Sequence, residues 1–211
     1  MNAMISQIRP ALVATVFFTL LLGVAYPLAV TGVARVAFPS QAGGSLIRNA
    51  QGEVLGSALI AQGFAKPQYL HPRPSAAGPN GYDASGSSGS NLGPFNPDLA
   101  KRVAKDTAGL APEGAGPVPA DAVTTSGSGL DPDISPANAH RQAARVAAAR
   151  GVPLTAVQQV IEAQTTGPWL GIFGQPHVNV LRANLALDAL PAVNPEAPLD
   201  AARAAAHPKE P

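Results

Sequence analysis

Between Arg9 and Arg35 the chain carries 25 residues without a charge, Pro10 to Ala34, and this run constrains every reading of the remainder. At 1.5 Å rise per residue, about 20 residues cross a hydrocarbon core about 30 Å thick, so the run is long enough for a membrane-spanning helix. The rival is the apolar region of a cleaved signal peptide, which usually holds roughly 7–15 residues and is shorter than this one. Residues 10–36 are therefore read as a transmembrane anchor, with residues 1–9 as a tail before it. Pro10 is expected at the helix N-terminus, where its missing N–H costs nothing. Tyr26-Pro27 is expected to kink the far half, with Tyr26 near an interface. Thr15, Thr19, Gly23 and Gly32 are small or hydroxyl-bearing positions that let another membrane helix approach closely. Arg9 and the α-amino group lie on one side and Arg35 and Arg48 on the other, so the charge count leaves the orientation open.

Beyond the anchor the composition changes. The 211 residues include 14 Lys and Arg against 13 Asp and Glu, a net charge of +1, whereas a nucleic-acid binder shows a basic surplus or stripe. The lack of cysteine excludes a disulfide framework, a thiolate nucleophile, a zinc–thiolate site and an iron–sulfur cluster. The 21 glycines and 22 prolines are far above average usage and call for much turn and loop. Residues 37–190 are read as one domain and 191–211 as a disordered tail, because the tail holds few bulky apolar residues.

Within that domain the pattern predicts an α+β fold: a loop-rich unit with a short mixed sheet and two or three helices, behind a single N-terminal transmembrane helix. Leu46-Ile47 and Val54 to Ile60 are apolar runs flanking the turn Asn49-Ala50-Gln51-Gly52, which reads as a β-hairpin. Lys66 to Pro97 is too rich in Pro, Gly, Ser and Asn for regular structure, yet Tyr69, Leu70, Tyr82, Leu92 and Phe95 favour a packed loop. Asp98 to Thr107 is expected to be helical behind an Asn96-Pro97 cap. Residues 108–121 read as a flexible insertion and Ala122 to Thr125 as β-like. Ser135 as N-cap, Pro136 in the first turn and Gly151 as the stop delimit a helix over 136–150; a second runs from Leu154 to about Gln164. In Val178 to Leu190, Leu181, Ala183, Leu185 and Leu187 alternate with Arg182, Asn184, Ala186 and Asp188, which predicts a strand.

Catalytic signatures are missing: no G-x-x-x-x-G-K-S/T, G-x-G-x-x-G, G-x-S-x-G or H-E-x-x-H occurs, which argues against a nucleotide hydrolase. The Gly/Ser runs Gly86 to Ser90 and Ser126 to Gly129 read as tight turns rather than anion-binding nests. His71, His140, His177 and His207 have no ligand-like spacing, so no metal site is expected. Arg141, Arg145 and Arg150 share one helix, where Arg150 also suits the C-terminal dipole.

Arg9 to Leu12, Tyr26 to Leu28, SLIR (45–48), GSALIAQ (56–62), YLHPRPSA (69–76), SGSNLGPFNP (88–97), TSGSGLDPDISP (125–136), ARVAAARG (144–151) and GQPHVNVLRANLALDAL (174–190) occur in this order. Together, over roughly residues 8–190, they resemble the C subunit of the Kdp potassium-transporting P-type ATPase. The resemblance implies a single-pass inner-membrane protein, N-terminus cytoplasmic and domain periplasmic. It implies three protein partners: a channel-like potassium-translocating subunit, a catalytic P-type ATPase subunit and a small single-helix subunit. It also implies a non-catalytic role that assists assembly and raises the ATP affinity of the catalytic subunit; no residue of this chain reads as an adenine or phosphate site. Arg73, Ser75, Asn91, Ser126, Ser128, Asp131, Gln142 and Arg145 are the candidate interface or ion-entrance residues. Arg73, Asn91 and Asp131 are equally suited to bracing: Arg73 by bonds to loop carbonyls, Asn91 and Asp131 in turns. His71-Pro72, Ala144 and His177 depart from the family pattern. The alternative from another class is a stand-alone, membrane-tethered binding or enzyme domain, which requires a pocket with convergent polar groups.

Overall fold

The computed structural model describes residues 2–114 and 116–191. The expected tail at 191–211 lies outside the described residues apart from Pro191. The chain divides into two compact units, the first ending at Ser57 and the second beginning at Ala58.

The first unit is dominated by the apolar helix. Helix α1 (Asn2–Leu20) passes through a wider π turn at Leu21–Ala25 into α2 (Tyr26–Ala37), and Ser6–Ala37 is long and apolar enough to cross a membrane. Pro10 therefore lies inside the helix and does not open it, because the residues before it continue the same turn. The disturbance expected at Tyr26-Pro27 takes the form of the π turn. Pro27 has no N–H, and its ring crowds the carbonyl four residues back, that of Gly23. Widening the preceding turn relieves both, with the Tyr26 N–H reaching the Leu21 carbonyl five residues back. A short helical turn, α3 (Pro39–Ala42), leads to the hairpin of β1 (Leu46–Arg48) and β2 (Val54–Ser57). Asn49 builds its turn, the side-chain carbonyl accepting the N–H groups of Gln51 at 3.1 Å and Glu53 at 2.8 Å. The strand ends at Ser57 and not Ile60, because Ala58 and Ala61 are buried in the second unit and the Ala61 N–H donates to the Leu130 carbonyl.

The second unit contains helices α4 (Pro97–Leu110), α5 (Ala120–Val123), α6 (Pro136–Arg150), α7 (Leu154–Ala163) and α8 (Val180–Asp188). Its strands are β3 (Asp133–Ile134), β4 (Thr165–Thr166) and β5 (His177–Asn179), in the order β3-β5-β4. Every pairing is antiparallel, so the expected mixed sheet is corrected. Helix α6 starts as the sequence indicates: the Ser135 hydroxyl accepts the Asn138 N–H at 3.1 Å, and Gly151 stops the helix in the left-handed conformation at φ 65°. Ala139, Ala143, Val146 and Ala147 line its buried face at helical spacing; three of the four being alanine lets neighbouring elements approach closely. Leu70, Ile134, Val157, Ile161, Val178, Val180 and Leu187 complete the core.

Three expectations change here. Helix α4 runs on to Leu110 instead of ending at Thr107. The β-like stretch at Ala122 is a helical turn, α5, closed by the Thr124 hydroxyl donating to the Ala120 carbonyl at 2.7 Å. The strand expected over Val178 to Leu190 is β5 followed by α8, because Asn179 caps a helix there with its side chain accepting the Arg182 N–H. Val180, Ala183, Asn184 and Leu187 form a helical stripe that shares members with the alternating set, so the two periods overlapped. The helix separates residues that a strand would treat alike. Leu187→Ala should lower stability by about 2–5 kcal/mol, and Leu185→Ala, whose side chain is only half-buried, by clearly less. Thermal unfolding of the full chain in detergent, followed by circular dichroism, measures both; equal losses would favour the strand.

Candidate functional site

The long loop before α4 enters the second unit as an extended segment, and Leu70 within it is fully buried. Among the described residues no strand runs beside it. Its backbone is satisfied by side chains of α6 and α8 instead. Asn184 of α8 accepts the Leu70 N–H at 2.8 Å and donates to the Leu70 carbonyl at 2.9 Å. Gln142 of α6 does the same for the next residue, accepting the His71 N–H at 2.7 Å and donating to the His71 carbonyl at 3.1 Å. In an extended chain, successive residues present their polar groups to opposite sides, so one amide from each helix imitates a flanking strand.

Two guanidinium groups extend the pairing upstream. Arg145 donates to the carbonyls of Pro67 at 2.7 Å and Tyr69 at 3.1 Å, and also binds Gln142 and Glu113. Arg150 donates to the Gln68 carbonyl at 2.6 Å, the Leu187 carbonyl at 2.9 Å and Asp188 at 2.8 Å, and lies over the Tyr69 ring at 5.1 Å. The Glu113 bond, together with Arg141 donating to the carbonyls of Leu110 and Gly116, also ties the Pro/Gly-rich stretch 108–121 to α6.

Downstream, a second cluster holds the rest of the loop. Arg73 pairs with Asp131 at 2.9 Å and donates to the carbonyls of Thr124 and Thr125. The Ser75 hydroxyl donates to the Gly129 carbonyl at 2.6 Å and accepts the N–H groups of Ala77 and Tyr82. The hydroxyls of Ser126 and Ser128 lie 3.4 Å apart and accept the N–H groups of Asp131 and Leu130. Gly129 turns at φ 67°, and a Cβ there would stand 2.8 Å from the Ala77 nitrogen, so both conformation and space require glycine. The candidate residues thus fall into two groups, Gln142 with Arg145 and Arg73 with Ser75, Ser126, Ser128 and Asp131. Asn91 belongs to neither and is exposed, in the left-handed conformation at φ 52°.

A cleft of about 500 Å³ beside this cluster is lined by Arg73, Asp121, Asp131, Asp133, Ser135 and His177. Its acids are engaged: Asp131 with Arg73, Asp121 with the Ser135 N–H and hydroxyl and with Asn138, Asp133 with Asn179. Burial, with Arg145 nearby, lowers the His71 pKa below its ordinary 6.5, and burial raises that of Tyr82, whose hydroxyl donates to the Arg73 carbonyl. Asn184 and Asp121 are the two bracing residues that sequence reasoning missed. A helical reading of 180–188 would have put Asn184 on the buried stripe; Asp121 carries no local signal.

These braces lie in segments that other proteins share. The family model described as K+-transporting ATPase, c chain (KdpC), matches residues 8–189. The chain belongs to the KdpC family. A protein of Caulobacter sp. (strain K31) named potassium-transporting ATPase KdpC subunit is 65% identical over 187 residues, covering 88% of this chain and 95% of that one. Proteins of the same name from Caulobacter vibrioides (strain NA1000 / CB15N) and Beijerinckia indica subsp. indica are 66% and 56% identical, each over 88% of this chain and 94% and 95% of their own. The match to the KdpC family begins within the first turn of the apolar span Ser6–Ala37 and ends after α8, so it takes in both units.

Asn184→Ala strands the buried Leu70 N–H and C=O and should cost about 1–3 kcal/mol or more, and Gln142→Ala strands the half-buried ones of His71 and should cost less. Thermal unfolding measures the loss, and a loss near zero would deny the brace. Titration of His71 adds a pH dependence. Its pKa is lowered on folding, so the unfolded chain binds the proton more readily. The His71 contribution is fully present above pH 6.5 and is lost as pH falls through the interval below it. His71→Gln should flatten the decline in melting temperature on acidification below that value.

Proposed function

We propose that this chain is an accessory, non-catalytic subunit of an ATP-driven potassium import complex. It assists assembly and raises the ATP affinity of the catalytic subunit. In this reading Ser6–Ala37 spans the inner membrane once, with the N-terminus in the cytoplasm and the second unit in the periplasm. Its partners are a channel-like potassium-translocating subunit, a catalytic P-type ATPase subunit and a small single-helix subunit. The observation that carries it is the family match across 8–189, which takes in the apolar helix and the braced domain together.

The bonding of the site supports a scaffold over an ion-liganding surface. Arg73, Ser75, Ser126, Ser128, Asp131, Gln142 and Arg145 all make bonds within the domain. A domain held this way acts on potassium by covering the entrance with a shape of fixed outline, not by offering loose oxygens. ATP lies on the opposite side of the membrane from that domain, so the effect on ATP affinity is a coupling transmitted through membrane helices. The π turn at Leu21–Ala25 is a local departure in the helix that would carry it.

Purified complexes with and without this chain test the reading. Omission is expected to reduce recovery of the assembled complex and to raise the KM for ATP; an unchanged KM in a fully assembled complex would overturn it. Pro27→Ala removes the cause of the π turn and should alter the ATP KM while leaving assembly intact. Truncation after Ser57 should weaken apparent potassium affinity, measured by potassium-stimulated ATP hydrolysis.

A further inference from the structure

Between β4 and β5 the chain makes a tight hairpin tip whose side chains are turned outward. Trp169 is 70% exposed, Leu170 70%, Ile172 77% and Phe173 60%, four large apolar groups within five consecutive residues, whereas Leu59, Phe95 and Leu154 are exposed singly. The tip is ordered by its own bonds. The Trp169 N–H donates to the Phe173 carbonyl at 2.7 Å, the Phe173 N–H returns to the Trp169 carbonyl at 3.0 Å, and the two rings lie 5.8 Å apart. Gly171 and Ile172 donate to the carbonyls of Pro168 and Trp169. At its root, Thr165 and Thr166 pair with Val178 and His177, and Val178 is fully buried. Leu170 is held at φ 54°, a conformation unusual for a leucine, at the outermost turn.

We propose that this tip inserts into the lipid headgroup and upper acyl layer of the membrane in which the chain is anchored. The inference rests on the reading of Ser6–Ala37 as a membrane span. Three observations favour lipid over a protein groove. The N–H groups of Trp169, Gly171, Ile172 and Phe173 are bonded within the turn, which lowers the cost of entry into a medium poor in hydrogen-bond partners. From Gln164 to Pro176 there is no charged residue to pair with a partner surface, while tryptophan favours the membrane interface, where an apolar ring meets water. The 20 residues numbered 38–57, which reach at most about 70 Å even when fully extended, keep the second unit within that distance of the bilayer surface. That tether makes insertion an intramolecular event, so four apolar side chains suffice where a free domain would need more.

Trp169 is the only tryptophan in the chain, so intrinsic fluorescence reports the tip directly. The full chain is reconstituted into vesicles of phosphatidylethanolamine and phosphatidylglycerol, with and without lipids brominated on the acyl chains. Flotation of the chain with the vesicles reports the anchor; emission reports the tip. Insertion predicts flotation, a blue-shifted emission, quenching by the brominated lipid and protection from acrylamide. The double variant Ile172→Ser with Phe173→Ser should float equally well and lose the blue shift and the quenching. A chain that floats while Trp169 emits as in water, open to acrylamide and untouched by brominated lipid, overturns the insertion and leaves the anchor standing. Failure to float overturns the anchor reading and this inference with it. The chain has no cysteine, so Phe173→Cys carrying a polarity-sensitive dye serves in the assembled complex. Shielding that appears only after the other subunits are added assigns the tip to a protein groove and overturns the lipid.

Discussion

Five consecutive carbonyls, from exposed Pro67 through fully buried Leu70 to half-buried His71, have no strand beside them among the described residues, and each is met by a side chain of α6 or α8. A buried peptide group left unpaired costs about as much as a lost hydrogen bond, so a segment of this length without partners would destabilise a small domain severely. The remedy fixes more than the segment. Gln142, Arg145 and Arg150 are on one helix, Asn184 is on another, and Arg150 also binds the Leu187 carbonyl near the end of α8. The two helices are therefore held at the spacing that the extended chain between them sets. Leu70 adds the apolar half of the same contact.

Much of this order can be read from the residues, and the failures are specific. Ser135-Pro136 and Gly151 mark both ends of α6 because caps act locally through the backbone groups of the first and last turns. The 25-residue apolar run is legible for the same reason: its signal is length and lack of charge, and neither needs tertiary context. The period of 178–190 misleads, since Ala183 and Leu187 satisfy alternation and the helical stripe alike. That error hid Asn184, which a strand would send to the opposite face. Asp121 was illegible for another reason. It acts across 14 residues on Ser135, and nothing in a Pro/Gly-rich stretch announces such a long-range cap.

The electrostatics of the second unit follow from the same economy. Only 13% of the whole chain is charged, and the arginines nearest the extended segment are occupied. Arg73, Arg145 and Arg150 each divide their donors between one carboxylate and loop carbonyls. A guanidinium suits this use because its planar fork presents several donors with one charge, whereas a lysine would offer a single flexible point. The ion pairs are thereby parts of backbone networks, which gives them more influence than isolated surface pairs have. The positive charge of these arginines is thus placed where it organises the chain.

Clusters of large apolar side chains stand outward on both units, along the helix through Ser6–Ala37 and at the tip from Trp169 to Phe173. Apolar burial is strong but non-directional, so it cannot by itself set the orientation in which a domain meets a membrane or a neighbour. Orientation has to come from the rigidity of the body that carries the apolar groups. The tip is rooted through Val178 in the core against which Leu70 packs, and Leu70 is held by Asn184. Loosening the brace would thus leave every outward side chain in place while removing the geometry that makes its contact specific. In the proposed assembly, the bracing polar residues matter at a distance from any surface they might have been expected to form.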